Sequence, residues 1–136
     1  MKVIIDTNII IDILQRREPH FQDSYRTILL GLQEKAETLL YASAVADIYY
    51  IISRNISDAK KVHEKIGAIN VLIKICDTTS EDVNTALSLN MPCFEDAMIA
   101  AIAKRVKADY IVTRNEEAFT GSPVPAISPS QLLDQF

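Results

Sequence analysis

The sequence contains no tryptophan and, in 136 residues, only three glycines, two cysteines and two histidines. So few glycines leave no Gly-rich loop that could cradle a phosphate, which argues against a nucleotide cofactor held in the Rossmann or P-loop manner. Cys76 and Cys93 are too few for a disulfide framework and fit no zinc-ligand spacing. Both read as reduced, partly buried thiols. His20 and His63 stand on polar segments without a ligand-like partner and read as solvent-facing. Basic residues are also in the minority, 14 Lys and Arg against 18 Asp and Glu, and a net charge of −4 excludes a broad basic surface as the main means of holding nucleic acid. Long apolar runs are missing too. In MKVIIDTNIIIDIL, Asp6 and Asp12 interrupt the run well short of a spanning or signal-peptide core, so the expectation is a cytoplasmic protein without membrane contact.

What is present is a hydrophobic content of 49%, enough for one domain over residues 1–136 with a substantial core. KVII at 2–5 is a short β-branched run of the kind buried on both faces in a parallel sheet. A turn at Asp6-Thr7-Asn8 leads into a helix over 9–14. A second helix is expected over 21–36, with Tyr25, Ile28, Leu29 and Leu32 on one face, followed by a strand over 38–42. Ser43 stands as the N-cap of a buried helix, AVADIYYIISR. Residues 57–69 read as a helix and VLIKI at 71–75 as a strand. TSEDVNTALSL follows as a helix capped by Ser80. FEDAMIAAIA opens the next helix, DYIVT at 109–113 is a fourth strand, NEEAF a turn or short helix, and VPAI at 124–127 a brief edge strand. SPSQLLDQF closes the chain as a capped helix. Strands separated by helices imply an α/β domain with a mainly parallel sheet of four or five strands, whose ligands bind beyond the carboxyl ends of the strands.

Acids recur at that edge. Asp6 follows the first strand, where it either caps the next helix or belongs to a site. Asn115, Glu116 and Glu117 follow the fourth strand. Asp47 lies inside a helix, where Asp has poor propensity, among apolar neighbours at helical spacing. It is either a buried carboxylate that needs a partner or an outward-facing residue on the helix rim. Glu95 and Asp96 begin a helix, where the macrodipole alone would welcome them. Should Asp6, Asp47 and Asp96 converge, each pair about 5 Å apart would repel by on the order of 3 kcal/mol at an effective dielectric near 20, which calls for protons or a divalent cation. Oxygen donors without Cys or His favour Mg²⁺ or Mn²⁺ over Zn²⁺.

The ordered set IIDTNIIIDIL, SAVADIYYIISR, FEDAMIAAIAKRVKADYIVTRNEEAF and SPSQLL resembles a PIN domain of the compact bacterial kind found in VapC-type toxins. The likeness runs from Lys2 to about Leu133. It implies a three-layer α/β/α sandwich and a Mg²⁺- or Mn²⁺-dependent endoribonuclease, the toxin of a toxin-antitoxin pair. RNA would be its substrate, a small antitoxin protein its partner, and a homodimer its state.

On this resemblance Asp6 and Asp96 match the family's first acid and the acid of its EDA motif. Asp47 falls where the family usually has Glu. All three are the expected catalytic metal ligands, with Asn115 and Glu116 as further candidates. Thr7, Asn8 and Thr113 fall at positions expected to orient a ligating carboxylate. Arg114 stands beside the site as a substrate-binding candidate, with Arg16, Arg17 and Arg54 available to phosphates. The chain departs from the pattern at Ala118, where many relatives have Asp, which bears on a second metal. A catalytically weakened PIN-like RNA-binding or scaffold module is therefore the alternative. A phosphatase or receiver-like domain with Asp6 as nucleophile fits less well, because a DxDxT arrangement is expected there and Asn8 breaks it. Tyr25, Leu29, Tyr49 and Tyr50 are candidates for an exposed apolar face or for core.

Overall fold

The computed structural model describes residues 1–136. Five parallel strands, β1 (Lys2–Ile5), β2 (Glu37–Tyr41), β3 (Lys74–Cys76), β4 (Tyr110–Val112) and β5 (Ala126–Ile127), form one sheet in the order β3-β2-β1-β4-β5. β1 is central, with Ile4 opposite Leu39 on one side and Ile111 on the other. Val3, Ile4 and Ile5 are wholly buried, as a strand covered on both faces requires.

The connection from β1 to β2 carries α1 (Thr7–Leu14) and α2 (Phe21–Leu32), and that from β2 to β3 carries α3 (Ala42–Ser53) and α4 (Ala59–Leu72). These helices pack on one another and on the closing helix α7 (Pro129–Leu133). The third connection carries α5 (Ser80–Ser88) and α6 (Phe94–Arg105), a separate pair of which α6 packs on β1 and β4. Arg105 ties the pair together by donating from Nε and Nη2 to the buried Asp82 at 2.8 and 3.0 Å. Helices thus flank the five-stranded sheet in the expected α/β/α arrangement. No helix is long and apolar enough to cross a membrane.

Several boundaries differ from the sequence expectations. α2 stops at Leu32, because Glu34 takes a positive φ of 56° and turns the chain toward β2. Its inward face is Ser24, Thr27, Ile28 and Leu30, leaving Tyr25 and Leu32 exposed. Gly31 sits so close to β2 that a Cβ there would collide with Thr38 Oγ1. The apolar run at 71–75 is divided: Val71 and Leu72 end α4 and the strand begins at Lys74. Val62, Ile66, Ile69 and Ile73 keep the helical period against the core, so Val71 falls on the outer side and is 80% exposed.

Two caps also move by a residue or two. Thr79, not Ser80, caps α5, because Asp82 stands three residues after Thr79 and completes a reciprocal capping box. Tyr41 occupies the N-cap position of α3 without a side-chain bond. Ser43 lies in the first turn and shares hydrogen bonds with Thr78. Ser128 caps α7 as expected. Cys76 is half-buried, whereas Cys93 is exposed.

Candidate active site

The strand order reverses direction at β1 and β4, and the residues leaving these two strands meet there. Asp6 leaves β1 and caps α1, its Oδ1 accepting from the Thr7 backbone N–H at 2.7 Å and from the Thr7 hydroxyl at 3.3 Å. Thr113 leaves β4, and its hydroxyl donates to Asp6 Oδ2 at 2.8 Å. Asn8 Nδ2 donates to the same oxygen and to Thr113 Oγ1, both at 3.4 Å, while Asn8 Oδ1 is buried without a partner. Asn115 N–H donates to Thr113 Oγ1 at 3.1 Å. The helix-cap and site readings of Asp6 are thus compatible: one carboxylate begins the helix and is also gripped from a second strand. Thr7, Asn8 and Thr113 all contact the carboxylate they were expected to orient.

Asp6 forms the floor of a cleft of about 230 Å³ whose walls carry Asp47 from α3 and Glu95 and Asp96 from the first turn of α6. Thr7, Tyr41, Ser43, Phe94, Met98 and Ile99 complete the lining. Four carboxylates therefore face one small space with no lysine, arginine or histidine among its walls. Burial pushes the Asp6 carboxyl above its ordinary range against the hydrogen bonds from Thr113 and Thr7, and Asp96 adds to the rise. Tyr41, at the end of β2, feels the same field. Burial, then Asp6, Asp47 and Asp96, drive its phenol far above the usual value, so it stays neutral and able to donate. A larger open groove of about 840 Å³ lies at the amino ends of the strands, between Lys2, Glu37, Lys74 and Asp109. It lies at the wrong end of a parallel sheet for a ligand site.

The remaining candidates separate. Asp47 is exposed on the rim of the cleft, which decides between the two placements its helix allowed in favour of the outward-facing one. Ala44, Ile48 and Ile51 face inward, and Asp47 lies just beyond that stripe. Glu116 and Glu117 are exposed on a 3₁₀ turn (Glu116–Phe119) and do not line the cleft. Asn115 is linked to Asp6 by its backbone through Thr113, with its side chain outside the lining. Ala118 packs its methyl toward the core.

Arg114 is not free for substrate. Its Nε and Nη2 donate to Asp12 Oδ2 and Oδ1 at 2.6 and 3.0 Å, a two-pronged pair with a carboxylate that is 0% exposed. Ser24 donates to the same Asp12 at 3.4 Å. The sequence carried a sign of this pair, because Asp12 lies inside the apolar helix IIIDIL and a buried acid requires a cation. Arg16 lies over the Phe21 ring and Arg17 Nε donates to Gln15, and neither lines the cleft. Tyr41, Ser43, Phe94, Met98 and Ile99 are the cleft residues that pattern reading did not assign to a site. Tyr41 and Phe94 are apolar-run members by sequence, and only their position at element ends turns them toward the cleft.

A PIN-domain family model matches residues 2–117. The chain belongs to the PIN-domain family. Similar to this PIN domain is "Ribonuclease VapC1" of Aquifex aeolicus (strain VF5), 23% identical over 140 residues, a span covering 99% of this chain and 95% of that protein. Among solved structures, VapBC2 from Rickettsia felis bound to a DNA fragment from its promoter superposes with a TM-score of 0.76 at 18% identity, covering 94% of this chain and 98% of that one. VapC20 of Mycobacterium tuberculosis, a Sarcin-Ricin loop cleaving toxin, gives a TM-score of 0.67 at 10% identity, over 88% and 95% of the two chains. At these identities the superpositions establish the fold of this PIN domain.

No three of its Asp, Glu, His and Cys side chains converge closely enough to enclose an ion on their own. Mg²⁺ does not require such a cage, since it keeps several waters and takes one or two carboxylates together with substrate phosphate. The donor set, hard oxygens without a compensating cation, fits that mode of binding.

Proposed function

We propose that this PIN domain is a Mg²⁺- or Mn²⁺-dependent endoribonuclease, the toxin of a toxin-antitoxin pair. The observation that carries the reading is the uncompensated cleft: Asp6, Asp47, Glu95 and Asp96 around one opening at the sheet's switch point, with no basic side chain to neutralise them. Asp6 and Asp96 would hold the metal, with Asp47 as a further oxygen donor on the rim of the cleft. The metal, when bound, would polarise the scissile phosphate and lower the pKa of a coordinated water. Thr113, Thr7 and Asn8 fix the direction of the Asp6 carboxylate, as second-layer hydrogen bonds do around metal ligands. Tyr41 supplies a neutral donor in the wall without adding charge.

The name of the Aquifex aeolicus relative and the description of the Mycobacterium tuberculosis structure support ribonuclease chemistry. The VapBC2 structure and a toxin-antitoxin complex from Klebsiella pneumoniae support a small antitoxin as partner. A homodimer in the cytoplasm completes the proposal. A scaffold or RNA-binding module that has lost catalysis is the second reading, favoured by the shorter, exposed Asp47 and by the Ala118 methyl packed toward the core.

The two readings part in one experiment. Purified protein is incubated with structured and single-stranded RNA in Mn²⁺, in Mg²⁺ and in EDTA, beside Asp6→Asn. Cleavage that needs the cation and vanishes in the variant is the expected result. RNA binding without cleavage under any of these conditions supports the second reading, and cleavage undiminished in EDTA overturns the metal mechanism.

A further inference from the structure

The chain leaving β4 is joined to α1 twice. The backbone ladder between β1 and β4 ends where the Asp6 N–H donates to the Val112 carbonyl at 2.9 Å, and beyond that point side chains hold the two segments together. Thr113 reaches Asp6 at the start of α1. Its neighbour Arg114 reaches Asp12, about 9 Å further along the same helix axis at a rise of 1.5 Å per residue. Both Asp12 oxygens accept from one guanidinium fork, at 2.6 and 3.0 Å, and Oδ2 also accepts from Ser24 of α2 at 3.4 Å. Neither Asp12 nor Arg114 lines the cleft. A buried ion pair adds little stability over an apolar pair of similar volume, because desolvation offsets most of its Coulomb attraction. What a two-pronged pair does supply is direction.

We propose that Asp12 and Arg114 are positioning residues for the cation site: their pair clamps the chain after β4 against α1, so that the Thr113 hydroxyl stays aimed at Asp6 Oδ2. The inference rests on the cation-site reading and adds to it two residues that stand outside the cleft. β4 ends at Val112, so the chain from Thr113 onward lacks the support of the strand. On one side the Thr113 N–H donates to the Ile127 carbonyl at 3.0 Å, and the Thr113 hydroxyl accepts from the Asn115 N–H at 3.1 Å. On the other side only the Thr113 and Arg114 side chains reach α1, and the first of these bonds is the one that orients Asp6. The two acids of IIDTNIIIDIL thus have different duties, Asp6 as ligand and Asp12 as the anchor of the arm that orients it.

The test separates charge from direction in the full chain. Arg114→Lys keeps a cation for the buried Asp12 but replaces the planar fork by a single point charge. Asp12→Asn leaves the fork one acceptor oxygen in place of two. Mn²⁺ affinity is measured by calorimetric titration for wild type, both variants, Thr113→Val and the double variant Thr113→Val/Arg114→Lys, each well below its own melting transition. Arg114→Lys should weaken Mn²⁺ binding about tenfold, the lower end for contacts that orient metal ligands, and Asp12→Asn should follow it. In the Thr113→Val background the same lysine should cost less than about twofold, because the hydroxyl through which the clamp acts is already gone. A purely structural pair would not show this coupling.

Equal Mn²⁺ affinity in wild type, Arg114→Lys and Asp12→Asn overturns the clamp and leaves the cation site standing. Equal losses from Arg114→Lys with and without the Thr113 hydroxyl also overturn it, since Arg114 would then act by another route. Weaker RNA binding by Arg114→Lys in EDTA, read by fluorescence anisotropy, together with unchanged Mn²⁺ affinity assigns this arginine to the substrate, against the proposal. A wild-type protein that takes up no Mn²⁺ removes both the clamp and the cation-site reading.

Discussion

The Thr113 hydroxyl donates to Asp6 Oδ2 at 2.8 Å, joining the residue that follows β4 to the residue that follows β1. The bond crosses the point where the strand order reverses, and it locks the most buried acid of the cleft in one orientation. A carboxylate whose two oxygens are both claimed by fixed donors loses little freedom when it takes a cation.

Replacing Thr113 by Val keeps the shape and removes that donor. Mn²⁺ affinity, measured by calorimetric titration, should fall about ten- to a hundredfold, as the loss of an orienting hydrogen bond does at other metal sites. Thr113→Ser should restore most of it. Equal affinity in all three proteins would leave the hydroxyl without a role in the site.

Asp12 and Arg114 give a second expectation. Removing Arg114 strands a carboxylate that has no access to water, so Arg114→Met should lose about 3 kcal/mol of unfolding free energy in urea. The partly open guanidinium argues for the lower end of the range for broken buried pairs. Unchanged stability combined with weaker RNA binding would return Arg114 to the substrate-contact role that the sequence suggested.

Asp6 titrates with a definite sign. Burial holds its folded-state pKa above the unfolded value of about 3.8, so the folded protein binds more protons than the unfolded one between the two. The group's contribution to stability is therefore fully present below the unfolded pKa and is lost as the pH rises through the folded one. Without divalent cation, Asp6→Asn should melt above wild type at pH 7, and the gap should shrink toward pH 4. A gap that does not change with pH would place the Asp6 carboxylate in a better solvated setting than the structure gives it.

Much of the fold was legible because β1 and β4 are short β-branched runs closed by polar residues. KVII and DYIVT became β1 and β4 with little change. The apolar stretch at 71–75 was not legible, because its membership depends on which side of α4 meets the core, and Val71 turned out to face solvent. The site divides in the same way. Asp6 and Asp96 could be read because each follows or opens an element at the carboxyl edge. Asp47 lines the cleft from an exposed position, the outward-facing of the two placements its helix allowed, since helical spacing gives a direction and not a depth. Tyr41 and the Asp12–Arg114 pair depend on contacts between residues far apart in the chain, which no local pattern carries.

The central claim, that the cleft is a cation site and not a set of helix-cap charges, rests most directly on the melting of wild type and Asp96→Asn with and without Mg²⁺. As a first-turn charge alone, Asp96 would stabilise by about 0.3 to 1 kcal/mol, and its loss would lower the melting temperature equally in both conditions. As one of four carboxylates lining one cleft with no basic neighbour, it adds unbalanced negative charge to the metal-free protein, so Asp96→Asn should melt higher than wild type in EDTA. In Mg²⁺ at a hundredfold excess over its Kd, wild type should gain about 2.7 kcal/mol by mass action and the variant much less, reversing the order. Crossed melting temperatures are the predicted result. A variant that melts lower than wild type in EDTA and responds to Mg²⁺ to the same extent would contradict the account.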